Sequence, residues 1–396
     1  MKKLAFVIPW YSDTMGGGAE TACRLLAKNL QHHGARVEVL TTCVKDFRSD
    51  WSSNHFAEGT AMEGGVPVRR FAVSGRDRAR FDAVNSRLMR GMPISAQDEQ
   101  IFLREMLNCN GLYRFIEEHR EEYVFLFLPY LFSTTYWGSR AAGMNGALIP
   151  CLHDEEYARL PAFRQMFAST GGVLFLSRAE RDLAKRLYPA FSEIGVPGLP
   201  LDCSWSGDAA RFTEKFGLTN FLLYAGRTDT GKNADLLMDY FGEYVGSGRE
   251  ELRLVFIGSG EVRVPPELAG NLHVLGFLSE QDKRDCLAAS LALCVPSVME
   301  SFSIVMMESW IAGRPVIVNA QCAVTSGFCR DSNGGLWFEN YAEFREIVDY
   351  LRENPEAAAA MGRSGAAFVR EQFDSATVAR NYLNALQPFL GAGNEI

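Results

Sequence analysis

The chain of 396 residues is long enough for two or three domains at roughly 150 residues each. With 47% hydrophobic and 22% charged residues it has the composition of a soluble globular protein, which excludes a largely disordered chain, a collagen-like repeat and a coiled coil. Forty Lys and Arg against forty-eight Asp and Glu leave a formal charge of −8, which disfavours general nucleic-acid binding, an affinity dominated by phosphate neutralisation.

The first element is an apolar run, Leu4–Pro9. It is too short for a signal peptide, and Pro9 and Asp13 precede any small-residue cleavage site. Thr21–His33 follows with Ala22, Leu25, Leu26 and Leu30 at the spacing of one buried helical face. Further short apolar runs lie at Arg36–Leu40, Val66–Phe71, Tyr123–Leu128, Ala147–Cys151 and Gly172–Leu176. The most apolar stretch, Tyr123–Trp137, is shorter than the ~20 residues that span a bilayer and contains Pro129. Residues 194–206 read as a loop, and the domain boundary is placed there, giving domains over 1–196 and from 207 onward. Strands are then expected at Phe221–Ala225, Leu252–Ile257, Leu272–Leu275, Leu291–Val295 and Pro315–Val318, with helices at Pro355–Phe373 and Ser375–Leu390 closing the chain. Apolar runs alternating with amphipathic segments predict two doubly wound α/β domains, with ligands at the carboxyl ends of the strands and a cleft between two facing sheets. No repeat of solenoid period is present. Nine cysteines without a CxxC pair read as buried free thiols in a reducing, cytoplasmic compartment.

Three segments carry chemistry. Met15-Gly16-Gly17-Gly18-Ala19-Glu20 follows the first strand and feeds a helix, whose free N–H groups and dipole favour an anion. The spacing is not GxGxxG, so no dinucleotide fingerprint is supported, and a structural turn explains the glycines about as well. Gly226-Arg227-Thr228-Asp229-Thr230-Gly231-Lys232-Asn233 ends a strand and opens a helix, placing two cations suited to phosphate oxygens where a ligand would sit. The plainer account is two solvated surface cations. In Pro296-Ser297-Val298-Met299-Glu300-Ser301-Phe302-Ser303-Ile304, Ser301 or Ser303 is expected to cap a helix ending near Gly313. Glu300 then precedes that helix and Glu308 lies inside it. Two acids near a helix start also simply suit the macrodipole.

Glu300 and Glu308, with seven residues between them in P-S-x-x-E-S-F-x-x-x-x-x-E-S-x-x-A-G-x-P-V, resemble the signature of the retaining family-4 glycosyltransferases, which have two Rossmann-like domains in the arrangement called GT-B. Gly17-Gly18-Ala19-Glu20 is similar to that family's glycine loop, and Gly226-Arg227 with Lys232-Asn233 to its diphosphate-binding pair. Cys151-Leu152-His153-Asp154 is similar to its His-Asp site. The resemblance covers nearly the whole chain, and the overall style is similar to that of bacterial enzymes that build surface polysaccharides. It implies a donor domain over 207–374 and a terminal helix, 375–396, crossing back to the first domain. Glu300 would hold hydroxyls of the donor sugar and stabilise charge at its anomeric carbon, and Glu308 would bind the ribose. Arg227 and Lys232 would neutralise the leaving diphosphate without a metal, helped by backbone N–H groups of Gly17, Gly18, Ser303 and Ile304. His153 would contact the sugar, with Glu20, Asp154 and Phe302 close by, and the loop Gly276-Phe277-Leu278 would meet the base. Ser303 departs from the family's usual glycine, and Ser259 in Gly258-Ser259-Gly260-Glu261 stands where an acid is common.

Of six histidines, only His153 follows a strand and precedes an acidic cluster; unaided by the resemblance, a structural role is the better account of it. Seven arginines between Arg69 and Arg90 read either as a solvated face or as a contact with anionic lipid or a phosphate-bearing acceptor. The expected activity is hexosyl transfer, with mannose the favoured hexose by analogy, from a GDP- or UDP-linked sugar to a lipid-linked or polymeric glycan, with no cofactor or metal and no nucleic-acid partner. A nucleotide-sugar epimerase of the same fold and a non-catalytic nucleotide-sugar-binding subunit are the alternatives; a phosphorylase would need a longer chain and a pyridoxal lysine.

Overall fold

The computed structural model describes residues 2–13, 16–228, 230–249 and 251–391. The chain divides into two compact units, one running to Pro200 and resuming from Ser375, the other spanning Leu201–Asp374.

The first unit is built on β1 (Lys3–Val7), β2 (Val37–Thr42), β3 (Gly59–Glu63), β4 (Val66–Phe71), β5 (Tyr123–Phe127), β6 (Gly146–Leu148), β7 (Gly172–Leu174) and β8 (Glu193–Gly195). Their order is β3-β4-β2-β1-β5-β6-β7-β8, parallel except for the β3–β4 hairpin. The central strands are buried along their length, because helices cover both faces of a parallel sheet and select continuous apolar runs. The strand order reverses between β1 and β5, so the loops leaving those two strands open at the switch point.

The second unit has β9 (Phe221–Ala225), β10 (Arg253–Ile257), β11 (Leu272–Gly276), β12 (Ala292–Val295), β13 (Val316–Asn319) and β14 (Gly335–Phe338), in the order β11-β10-β9-β12-β13-β14. All pairs are parallel, and the reversal falls between β9 and β12. These are two doubly wound α/β units, the fold class expected from the alternating pattern.

Three strands escaped that pattern. β3 is an exposed edge strand of sequence GTAME without apolar alternation, held only by its hairpin with β4. The turn residues Gly64 and Gly65, both at positive φ, were the signal for it. β8 opens the stretch 194–206 expected to be loop, and β14 is only four residues long. The first helix also begins at Gly18, three residues earlier than its apolar spacing indicated. The apolar stretch Tyr123–Trp137 resolves into β5 and the start of the helix Ser133–Ala142. All nine cysteines are free thiols, seven of them buried. Among the described residues no helix is long and apolar enough to cross a membrane.

The helix Ile304–Ile311, which follows β12, is locked by Trp310. That ring is fully buried, and its Nε1 donates to the Gly334 carbonyl at 2.7 Å. Gly365 of the helix Pro355–Phe373 lies flat on the ring, where a Cβ would come within 2.3 Å of Cδ1. A buried indole cannot yield as a flexible side chain would. Gly365→Ala should therefore cost about 1–3 kcal/mol of stability by overpacking. Urea unfolding with a wild-type midpoint would refute this account of the contact.

Candidate functional site

In the second unit the loops leaving β9 and β12 meet at the switch point. Lys232, at the end of the turn Thr230–Lys232, places its Nζ 2.6 Å from Oε1 of Glu300, in the loop after β12. The two side chains are 27% and 12% exposed, so the pair is partly shielded yet reachable from solvent.

Polar anchors hold both loops. The carbonyl of Pro296 accepts from the side-chain amides of Asn233 (3.3 Å) and Asn319 (3.2 Å), tying the ends of β9, β12 and β13 together. Buried Ser297 donates to the carbonyls of Gly231 (3.4 Å) and Met299 (3.1 Å). Asn233 itself sits at φ +51 ahead of the helix Ala234–Gly246, a conformation that asparagine tolerates better than most residues. On the other side of β9, the Tyr224 hydroxyl donates to the Arg227 carbonyl, and the Thr228 N–H donates to the Ser259 carbonyl at 3.1 Å. A Cβ on Gly258 would lie 2.0 Å from the Gly226 oxygen, so only glycine lets these two strand ends approach. Asp229 lies outside the described residues.

Ser303 occupies the N-cap of the helix Ile304–Ile311, but its side chain makes no cap bond. This corrects the expectation of a capping serine. The residue is held at φ +67 and ψ +75, a left-handed conformation in which a glycine would be unstrained. The missing cap means that the first-turn N–H groups, that of Ile304 among them, receive no acceptor from the Ser303 side chain at the end where Glu300 lies. Phe302 is corrected as well: its ring packs into the core against Phe328 and Phe373, so only its backbone can serve a ligand. Phe277 is the reverse case, 83% exposed beyond β11, with Leu278 half-buried beside it. Glu308 is paired with Lys283 at 2.8 Å. Burial pushes the Glu308 carboxyl up, opposed by the lysine.

In the first unit, Gly17 and Gly18 lead into the helix Gly18–His32 after β1; Met15 is outside the described residues. Glu20 folds back so that its Oε1 accepts from the Trp10 indole at 2.5 Å, and a Cβ on Gly17 would collide with its carboxylate. The glutamate thus braces the glycine loop. His153 follows β6, and Asp154 forms an exposed ion pair with Arg159 at 2.6 Å. A residue the motifs did not reveal, Glu180, anchors the loop before His153. Its two oxygens accept from the N–H groups of Leu152 and Leu176, each at 2.7 Å, and Cys151 is held at φ +51.

Of the seven arginines between Arg69 and Arg90, five are engaged within the unit. Arg69 pairs with Glu38, Arg70 with Glu63, Arg78 with Asp82 and Arg87 with Asp98, while Arg76 lies over the rings of Trp51 and Phe81. Among the described residues no group of three or more His, Cys, Asp or Glu side chains could hold a metal ion.

Residues 208–368 match the family described as Glycosyl transferases group 1, a span that includes Arg227, Lys232, Glu300 and Glu308. A D-inositol 3-phosphate glycosyltransferase of Frankia alni is 27% identical over 271 residues, 62% of this chain and 66% of that protein. The match thus spans just under two thirds of that relative. A GDP-mannose-dependent monoacylated alpha-(1-6)-phosphatidylinositol monomannoside mannosyltransferase of Corynebacterium glutamicum is 26% identical, over 59% of this chain and 68% of its own. Among solved structures, a sucrose-phosphate synthase from Thermosynechococcus elongatus superposes with a TM-score of 0.75 over 99% of this chain and 100% of that one, at 14% identity.

The fold is GT-B. Each of the two GT-B units carries its candidate residues on loops that leave the carboxyl ends of its strands or in the helices those loops lead into. Lys232 and Glu300 are brought into contact, Glu308 is joined to Lys283, and Arg227 stands on the loop after β9.

Glu180 allows a test of this local architecture. Complete burial raises its carboxyl to about 8, against the backbone N–H groups that lower it. The folded state then keeps a proton that the unfolded chain releases near the ordinary value of 4.5. Glu180 therefore contributes stability that is complete below that value and is lost as the pH rises towards 8. Wild type should lose stability over this window more steeply than Glu180→Gln, by at most about 1.4 kcal/mol per pH unit. Parallel stability profiles in urea would contradict the assignment.

Proposed function

We propose that this protein is a retaining, metal-independent hexosyltransferase of family 4, using a nucleotide-sugar donor. The observation that carries the reading is the Lys232–Glu300 pair at the switch point of the second sheet, inside the segment that matches Glycosyl transferases group 1. In the free protein each charge neutralises the other. A donor diphosphate presents about two negative charges and competes for the lysine, drawing Lys232 away from Glu300. The released carboxylate is then available to accept hydrogen bonds from donor-sugar hydroxyls and to face the positive charge that develops at the anomeric carbon. Arg227 adds a second cation, and the uncapped start of the helix Ile304–Ile311 adds backbone donors to the departing phosphate. Two cations and a helix start supply what a divalent metal would otherwise supply to the leaving group.

In this reading the second unit holds the donor, with Glu308 on the ribose and the loop Gly276-Phe277-Leu278 beside the base. The first unit supplies the glycine loop at Gly17 and Gly18, His153 as a sugar contact, and the acceptor-binding loops. Mannose is the proposed hexose, supported by the name of the Corynebacterium glutamicum relative, and the proposed acceptor is a lipid-linked or polymeric glycan of bacterial polysaccharide synthesis. The enzyme would act in the cytoplasm at the inner face of the membrane. That contact is supported less by the arginines, most of which are engaged, than by Met89 and Met92, which are 72% and 47% exposed at and just beyond the end of the helix Arg78–Met89.

The charge exchange separates binding from transfer. Glu300→Gln should bind GDP or UDP at least as tightly as wild type, because Lys232 loses its competitor, while sugar transfer falls by about 100-fold or more. Arg227→Ala should weaken nucleotide binding. Calorimetry with both nucleotides and transfer from GDP-mannose or UDP-glucose, with the anomeric configuration of the product read by NMR, test this directly. An inverted product would remove the retaining assignment, and the absence of nucleotide binding to wild type would remove the proposal as a whole.

A further inference from the structure

Glu308 is the one charged residue in the helix Ile304–Ile311, whose other side chains are apolar apart from Ser309. It is only 18% exposed, and a carboxylate so placed is costly unless a partner compensates. The partner comes from another element. Lys283, in the first turn of the helix Glu280–Ala289 beyond the loop Gly276-Phe277-Leu278, reaches Oε1 of Glu308 at 2.8 Å and Oε2 of Glu280 at 3.1 Å.

The two contacts are unequal. Glu280 is 69% exposed and one helical turn from Lys283, an arrangement of small energetic value. The contact with Glu308 crosses between helices and is largely shielded from water, so it orients both side chains. Lys283, Arg284 and Glu280 all face Glu308 from the one helix, the two cations favouring its charged form and Glu280 opposing it.

We propose that Lys283 is a positioning residue for nucleotide recognition: it keeps the Glu308 carboxylate charged and aimed so that it accepts both hydroxyls of a ribose. An ionised carboxyl has about four acceptor sites, and one ammonium hydrogen bond leaves enough for a vicinal diol. A protonated carboxyl would itself donate one hydrogen and accept poorly from two hydroxyls. Lys283 thereby gives the site a preference for ribonucleotides that holds across neutral pH. The inference rests on the proposed function, in which Glu308 meets the ribose.

The test compares UDP and GDP with their 2′,3′-dideoxy counterparts, because the ratio of the two affinities isolates the hydroxyls and cancels phosphate protonation. Wild type should prefer the ribonucleotide by at least about tenfold, the value of one good hydrogen bond to a charged group. This ratio should change little between pH 6 and 8. In Lys283→Met the ratio should fall towards unity, more so at the lower pH, while Lys283→Arg should keep it. Lys283→Gln provides a polar replacement should the methionine variant fail to fold. A wild-type ratio in a folded Lys283→Met or Lys283→Gln protein at pH 6 would overturn the role of Lys283. Equal binding of ribo- and dideoxynucleotides by wild type would overturn it through Glu308. Failure of wild type to bind any of the four nucleotides would instead bring down the proposed function, and this inference with it.

Discussion

A parallel sheet must be re-entered from the same end at every strand, so every chain segment that leaves a carboxyl end is free to carry chemistry while the return is made by a helix. In both units of this protein that constraint decides where the candidate residues lie. The glycine loop follows β1, His153 follows β6, Arg227 and Lys232 follow β9, and Glu300 follows β12. At the switch between β9 and β12, neighbouring strands send their helices in opposite directions, which leaves room for the Lys232–Glu300 pair. The apolar runs matter to function mainly because burying them forces this arrangement.

Within each unit, charged candidate residues are compensated before any ligand arrives. Lys232 has Glu300, Glu308 has Lys283, Asp154 has Arg159, and the Glu20 carboxylate has the Trp10 indole. The exposed Asp154 pair is worth little, whereas the shielded pairs keep costly charges in defined positions. In the proposed reading a ligand exchanges partners rather than meeting bare charges, so affinity is traded for loops that stay ordered when empty. The backbone follows the same economy: Asn233, Cys151 and Ser303 are held at positive φ, and each stands at the start of a helix or on a loop carrying a candidate residue. Their neighbours provide the restraint, as the buried Glu180 carboxyl does for the loop at Cys151.

Long buried strands were legible because their both-sided burial leaves continuous apolar runs, and the two final helices match their predicted limits. β3, β8 and β14 were not, since edge or very short strands need no apolar run; β3 is held by its hairpin with β4, and β8 and β14 pair with strands that lie across an intervening helix. The site divides in a similar way. The candidate acids and cations of the second unit stood out in motifs. Lys283, Glu180 and Asn319 did not, because each acts on a residue from another element. Phe302 carried a motif position yet turned into the core, and the arginines between Arg69 and Arg90 formed a patch in the sequence that the folded unit largely consumes in ion pairs.

The sequence by itself determined the two α/β units, the strands at their centres and the loops on which chemistry could stand, because hydrophobic periodicity and glycine placement are local properties of the chain. Only the tertiary structure decided which charges are partnered, that Ser303 is left-handed and makes no cap, and that Glu308 answers to a lysine 25 residues earlier in the chain. Those facts depend on distances between segments far apart in sequence. Desolvation and hydrogen-bond geometry act on such distances, and periodicity contains no record of them.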